Sequence, residues 1–180
     1  MTQVDGPRVA SPLAVRPAAP PDRSELRSVL GRFATGVTVV TAGQDEPRGM
    51  TANSFTSVSL DPALVLVCVV RTAAIHSVIL AEGQFAISVL ASHQDQVAKH
   101  FADHRRPRGD EEFAVVDWTP GRFTGAPVMV GALAWLECRV TAVHDGGDHS
   151  IFLGSVLGAE RGPDRDALLY FGGGFRTLDG

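Results

Sequence analysis

The stretch Gly49-Met50-Thr51-Ala52-Asn53-Ser54-Phe55-Thr56-Ser57-Val58-Ser59-Leu60-Asp61-Pro62 decides how this chain is read. Small hydroxyl and amide side chains are packed into it more densely than a strand face or a helix face requires. A segment of that kind approaches a ligand closely and offers it hydrogen bonds from backbone and short side chains, the usual way polar groups fix orientation in a small-molecule site. A Ser/Thr-rich β-hairpin has the same composition. The adjoining segment, residues 64–70, is apolar at every position. That is the pattern of a strand buried on both faces, by the core on one side and by a helix or a second subunit on the other. We therefore read the stretch as the floor of a binding site in a β-rich protein.

Working outward, residues 37–42 (Val-Thr-Val-Val-Thr-Ala) are rich in β-branched side chains, and residues 43–48 form a polar turn with Pro47. This composition predicts a strand, a hairpin loop and a second strand leading into the opening stretch. Farther upstream, Asp22 and Glu25 have N-cap and N3 spacing, and Leu26, Val29, Leu30 and Phe33 recur at helical intervals, so an amphipathic helix ends before Gly36. Residues 1–21 hold five of the 11 prolines and too little apolar surface to order themselves, so they read as a disordered or loosely docked tail. One domain, 22–180, remains.

Downstream, Thr72 is the expected cap of a helix with Ile75, Val78 and Ile79 inward and Gly83 as its C-terminal glycine. Residues 85–90 read as a strand. Ser92 and Asp95 have capping-box spacing for a helix from 92 to about 103 that buries Val97, Ala98 and Phe101. A charged loop is expected at 104–112, then strand-like runs at 113–118, 128–143, 151–159 and 168–171, separated by glycine and proline punctuation. Many strands with few short helices point to a mainly β, closed antiparallel barrel, since closure removes edges.

The chain has 180 residues with 44% hydrophobic and 20% charged, an ordinary globular balance for one domain. A formal net charge of -4 and a pI near 5.8 lack the basic footprint of a nucleic-acid binder. Cys68 and Cys138 have no C-x-x-C spacing, so neither a disulfide framework nor a structural zinc site is expected. No apolar run approaches the roughly 18 residues of a membrane span, and prolines interrupt any signal-peptide core. These features fit a soluble, cytoplasmic protein without membrane or nucleic-acid partners.

For chemistry, His100 and His104 have i, i+4 spacing but no H-E-x-x-H context, and the polar segment around them reads as solvated surface, with no metal site. His149 stands after the tight turn Gly146-Gly147-Asp148, at the start of a strand and beside a carboxylate. It is either a turn histidine or a group oriented for hydrogen bonding or proton transfer. No G-x-S-x-G supports a serine nucleophile. Gly172-Gly173-Gly174 is not followed by a helix and so is no dinucleotide fingerprint. A ligand-binding barrel with an unnamed ligand results.

Four blocks then give the ligand a family. Phe33-Ala-Thr-Gly-Val-Thr-Val-Val-Thr41, Gly49 through Pro62, Phe85-Ala-Ile-Ser-Val-Leu90 and Gly147-Asp-His-Ser-Ile-Phe-Leu-Gly154 resemble, in order, the signature blocks of the flavin reductase domain family. These are the small reductase components of two-component flavin-dependent monooxygenases, and the resemblance covers roughly residues 26–178. It implies a homodimeric split β-barrel that uses NADH or NADPH to reduce FMN or FAD and supplies the reduced flavin to a separate oxygenase. Carried over, Thr51, Ala52, Asn53 and Ser54 line the isoalloxazine, and Ser57 and Ser59 face the ribityl and phosphate side. Cys68, Arg71 and Thr72 contribute toward the phosphate at a helix start, a sensible anion site. Ser88 to Leu90 lies along the flavin edge.

His149 matches the family's Gly-Asp-His motif, associated with nicotinamide binding, and Tyr170 and Phe171 flank the same pocket. Asp61-Pro62-Ala63 departs from the commonest pattern, which carries a second proline. Such an enzyme stacks nicotinamide over flavin and needs no obligatory general base. A flavin- or haem-binding carrier or sensor without turnover, and a pyridoxamine-phosphate-oxidase-like enzyme, are the alternatives in the same barrel.

Overall fold

Asp22 starts the ordered chain as its spacing foretells. In the computed structural model, which describes residues 20–178, its carboxylate accepts the Ser24 N–H at 3.1 Å and caps α1 (Arg23–Leu30). No residue of α1 is buried, and Leu26, Val29, Leu30 and Phe33 keep their apolar side chains exposed. Most of the expected N-terminal tail lies outside the described residues. The short β1 (Thr35–Gly36) precedes β2 (Thr38–Ala42), whose five residues are all buried. β2 pairs with β3 (Arg48–Ala52) in the expected hairpin, Thr38 opposite Ala52 and Ala42 opposite Arg48.

β4 (Thr56–Leu60) and β5 (Ala63–Val70) form a second hairpin around the cis Asp61-Pro62 bond, with a bulge between Ser57 and Ser59. Along β5, Val65, Val67 and Val69 enter the core, while Leu64, Leu66, Cys68 and Val70 are only half-buried. Burial on both faces is thus incomplete within one chain. α2 (Ala74–Glu82) buries Ile75 and Ile79 and ends at Gly83, whose left-handed φ of 65° a glycine adopts without strain. Thr72 does not cap it: the cap position is Ala73, and among the described residues no side chain caps the first turn. On the same helix His76 packs edge-on to Phe152, and its Nε2 lies 2.9 Å from the Ser150 hydroxyl.

β6 (Gln84–Val89) leads through a 3₁₀ turn (Ser92–Gln94) into α3 (Asp95–Ala102). The expected Ser92–Asp95 box is replaced by Gln94, whose longer side chain accepts the Ala91 N–H at 3.0 Å, and Asp95 pairs with Lys99 at 2.7 Å. Residues 113–116 are β-like in composition yet form a turn closed by the Val116 N–H on the Phe113 carbonyl, because Phe113 is drawn inward against Phe101 and Trp118. The expected strand at 128–143 is broken at Gly131 (φ 78°) into β8 (Pro127–Met129), which pairs with β7 (Trp118–Pro120), and the long β9 (Ala134–Gly146). β10 (His149–Arg161), β11 (Leu169–Phe171) and β12 (Gly174–Arg176) complete the chain. The terminal glycines Gly172 and Gly173 make the left-handed turn between the last two strands.

Seven strands form one antiparallel sheet in the order β3-β2-β6-β9-β10-β5-β4, and β1-β11-β12 form a smaller one. One core cluster, with Val40, Val67, Phe85 and Phe152, fills the curl of the large sheet under α2. A second, with Val37, Leu90, Phe101 and Phe113, lies under α3. β3 and β5, distant in strand order, pack against each other. The Ser54 hydroxyl stitches this seam, donating to the Cys68 carbonyl at 3.0 Å and accepting the Cys68 N–H at 3.1 Å. The result is the split β-barrel, mainly β with three short α-helices among the described residues. Also among them, no helix is long and apolar enough to cross a membrane.

Candidate functional site

β3 is an edge of the large sheet, so among the described residues one side of its backbone lacks a neighbouring strand. Which residues turn that way is set by parity, because alternate residues of an antiparallel strand point their N–H and C=O to the same side. Gly49 points outward: its N–H donates to Glu112 Oε1 at 3.1 Å and its carbonyl accepts from the Arg106 guanidinium. Thr51, two residues on, turns the same way. Among the described residues no backbone group meets its N–H or C=O on that outer side.

Two adjoining hollows open along this edge. One, of about 290 Å³, runs from Met50 and Thr51 past Thr72–Ile75 at the start of α2 to Phe101, Ala102 and the loop carrying His104, Arg106 and Arg108. The other, of about 250 Å³, is walled by Val37, Asn53, Tyr170 and Phe175. Thr51 and Ala102 border both, so they form one groove with a polar, cationic end and an apolar end. At the apolar end Tyr170 and Phe175 meet edge to face, 5.8 Å between centroids. At the other, the uncapped first turn of α2 offers free N–H groups beside His104 and Arg108, a favourable setting for an anion.

The groove gathers Thr51, Asn53, Thr72 and Tyr170 of the residues expected from sequence. Ala52 is buried and presents only backbone. Ser54 spends its hydroxyl on the barrel seam. Ser57 and Ser59 flank the β4 bulge, and Cys68 lies on the outer face of β5, all outside the two hollows. Burial raises the Cys68 thiol above its ordinary range, which keeps it protonated. Ser88 is fully buried and accepts the Met129 N–H at 2.9 Å, tying β8 to β6, and Leu90 is core. Neither lines the two hollows.

Arg71 also departs from expectation. Its Nε donates to the Gly147 carbonyl at 3.1 Å and its guanidinium pairs with Asp145 at 3.2 Å, while its own N–H holds the Asp148 carbonyl. It anchors the β9–β10 turn to the start of α2. The turn's His149 is half-buried opposite Val70, and its Nδ1–H donates to Asp148 Oδ1 at 2.7 Å. That bond, and then the histidine's charge, hold the Asp148 carboxyl below its ordinary range. Arg71 thus links His149 to the cationic end of the groove, although His149 lines neither hollow.

Sequence reasoning missed Ala102, Arg106, Glu112, Val37 and Phe175. Ala102 has no chemical signature, and Glu112 sits in what reads as a solvated loop yet is 1% exposed. His100 is likewise not solvated: it is half-buried and its Nε2–H donates to the Glu112 carbonyl at 2.7 Å. A larger cavity, about 470 Å³, opens at Thr119–Phe123, Trp135 and Glu137. Of its two carboxylates, Glu160 is exposed at its rim, and Glu137 is saturated by the N–H groups of Arg122, Phe123 and Thr124 at 2.7–2.9 Å, so it serves to fold that loop. The groove at Thr51 is the candidate site.

Comparison with known proteins points the same way. Residues 30–179 match the flavin reductase like domain family. The chain is 54% identical over 171 residues to the NADH-dependent FAD reductase of Streptomyces globisporus, covering 93% of this chain and 94% of the relative. Among solved structures it superposes with a TM-score of 0.84 on BorF, the flavin reductase component of a bacterial two-component tryptophan halogenase, at 54% identity over 87% of this chain and 98% of that one. It superposes at 0.82 on the Streptomyces globisporus NADH:FAD oxidoreductase SgcE6 in complex with NAD and FAD fragments, at 52% identity over 90% and 96% of the two chains. With nearly the whole chain matched, an open strand edge at Thr51 and a groove apolar at one end and cationic at the other, this protein belongs to the flavin reductase like domain family.

Proposed function

We propose that this chain is an NAD(P)H-dependent flavin reductase that passes hydride from a reduced nicotinamide to FMN or FAD and supplies the reduced flavin to a separate monooxygenase. The observation that carries the reading is the open peptide edge of Thr51 inside a two-ended groove. A flavin is a flat amphipathic ring with hydrogen-bonding groups along one edge and a phosphate on a tether, and this donor set fits it. Bound there, the flavin supplies the hydride-accepting atom. Thr51 N–H and C=O orient the ring, Val37, Tyr170 and Phe175 exclude water from its face, and the first turn of α2 with His104 and Arg108 receives the phosphate end. No proton relay is required of the protein.

The 54% identical relative, an NADH-dependent FAD reductase, favours NADH and FAD as the working pair. The half-exposed row Leu64, Leu66, Cys68, Val70, Ile151 and Leu153 supports a homodimer that covers this face. Two free cysteines fit a cytoplasmic setting. Residues 22–180 form the catalytic domain in this reading, and 1–21 a tail. Mixing the purified protein with NADH or NADPH and added FMN or FAD, while following nicotinamide absorbance, tests the function. Flavin-dependent oxidation is expected; its absence for every pair contradicts the assignment.

His149 is read as the nicotinamide contact. His149→Ala should raise the nicotinamide KM or lower kcat by roughly tenfold, the worth of about one hydrogen bond to a charged or strongly polar group. Flavin Kd should stay nearly unchanged. Equal loss of both affinities would instead mark a histidine that only shapes the turn.

A further inference from the structure

We propose that the buried Glu112 and its half-buried partner Arg106 are a positioning device for the groove, acting through the Gly49 peptide; the proposal rests on the groove being the flavin site. An edge strand presents unpaired N–H and C=O groups. At Gly49 these are met by two side chains instead of a strand: Glu112 Oε1 accepts the N–H at 3.1 Å, and the Arg106 guanidinium donates to the carbonyl. The two side chains are themselves joined, Arg106 Nε to Glu112 Oε1 at 3.0 Å. Together they imitate one rung of a β-ladder on the peptide two residues before Thr51.

The clamp is held from behind. Glu112 is 1% exposed and has a second cation, Arg48, at 3.7 Å from its other oxygen. His100 Nε2–H fixes the Glu112 carbonyl at 2.7 Å, and Arg106 also donates to the Asp103 carbonyl at 2.9 Å. The Arg106 guanidinium lies over the Phe101 ring, 5.7 Å from its centroid, and that ring rests on Gly49. The loop wall of the groove and the strand floor are therefore one unit. Releasing Gly49 frees the strand edge immediately upstream of the Thr51 peptide, and a site held loosely by its supporting shell binds poorly.

A purely structural role makes a different forecast. Replacing a buried ion pair by apolar residues of similar volume is often neutral for stability. The double variant Arg106→Met/Glu112→Leu also leaves the Gly49 N–H and carbonyl without partners, so it should melt a few degrees lower yet remain folded at the assay temperature, and bind FMN and FAD about tenfold more weakly in a fluorescence titration, with the NADH KM moved less. Glu112→Gln keeps an acceptor for the Gly49 N–H and should retain most of the affinity. A folded double variant with wild-type flavin Kd overturns the proposal, as does a Glu112→Gln loss equal to that of the double variant.

If the double variant does not fold, Arg106→Lys carries the test. Lysine keeps the charge but lacks the fork that reaches Glu112 and Gly49 together, so the same weakening is expected and unchanged affinity overturns the proposal. Ala102→Trp, which fills the groove directly, separates the two levels. If it abolishes flavin binding while the clamp variants bind normally, the groove reading stands and the clamp falls. If it binds flavin like the wild type, the groove reading itself is wrong.

Discussion

Gly49→Ala should lower the melting temperature by roughly 5–10 °C and take flavin reduction down with it, the response to about 2–3 kcal/mol of overpacking in a domain of this size. A Cβ built on Gly49 lies 2.5 Å from Phe101 Cε1 and 2.7 Å from Cδ1, far inside van der Waals contact. Phe101 has no room to retreat. It is 1% exposed, with Phe113 at 5.2 Å between centroids, His100 edge-on at 5.0 Å and the Arg106 guanidinium over its face. The strand cannot yield either, since the Gly49 N–H and carbonyl are both held by the loop. Gly36→Ala is the control: its Cβ meets nothing within 4 Å, and its melt should match the wild type. Scanning calorimetry of the two variants decides the matter, and a Gly49→Ala midpoint level with that of Gly36→Ala would mean that the Phe101 contact is soft.

How much of this was legible in the sequence depends on whether the determinant is local. β2 and β5 announce themselves through β-branched and continuously apolar runs, Asp22 through its cap spacing and Gly83 through its place after the last inward residue. Residues 113–116 mislead because Phe113, Val115 and Val116 have strand chemistry, while Phe113 is recruited into the α3 core and bends the chain into a turn. At the site, residue type identifies polar groups but not their partners. Ser54 and Ser88 carry equally suitable hydroxyls, and both are consumed by backbone amides across the fold. Arg71 carries a suitable charge that a turn 76 residues away in sequence has claimed. Conversely, the groove's midpoint is an alanine and its support a glutamate in a charged loop. Only the packing of α3 against β3 makes either of them matter.

Ala102→Trp should abolish flavin reduction, by roughly a hundredfold or more in kcat/KM, or about 2.7 kcal/mol of lost transition-state stabilisation, while leaving the melting temperature in place. Ala102 closes α3, is exposed, makes no side-chain hydrogen bond and borders both hollows at the point where they join. An indole there occupies the space beside the Thr51 peptide without removing any existing contact. Its cost to the helix is the difference in intrinsic propensity, at most about 0.7 kcal/mol. Ala102→Ser adds one atom at the same place and should keep most of the activity. The pairing with Gly49→Ala is what makes the result informative. One substitution crowds the back of β3 and lowers the stability of the fold; the other crowds its open edge and loses only the ligand. A folded Ala102→Trp protein that still reduces flavin at the wild-type rate would show that the flavin lies elsewhere on the barrel.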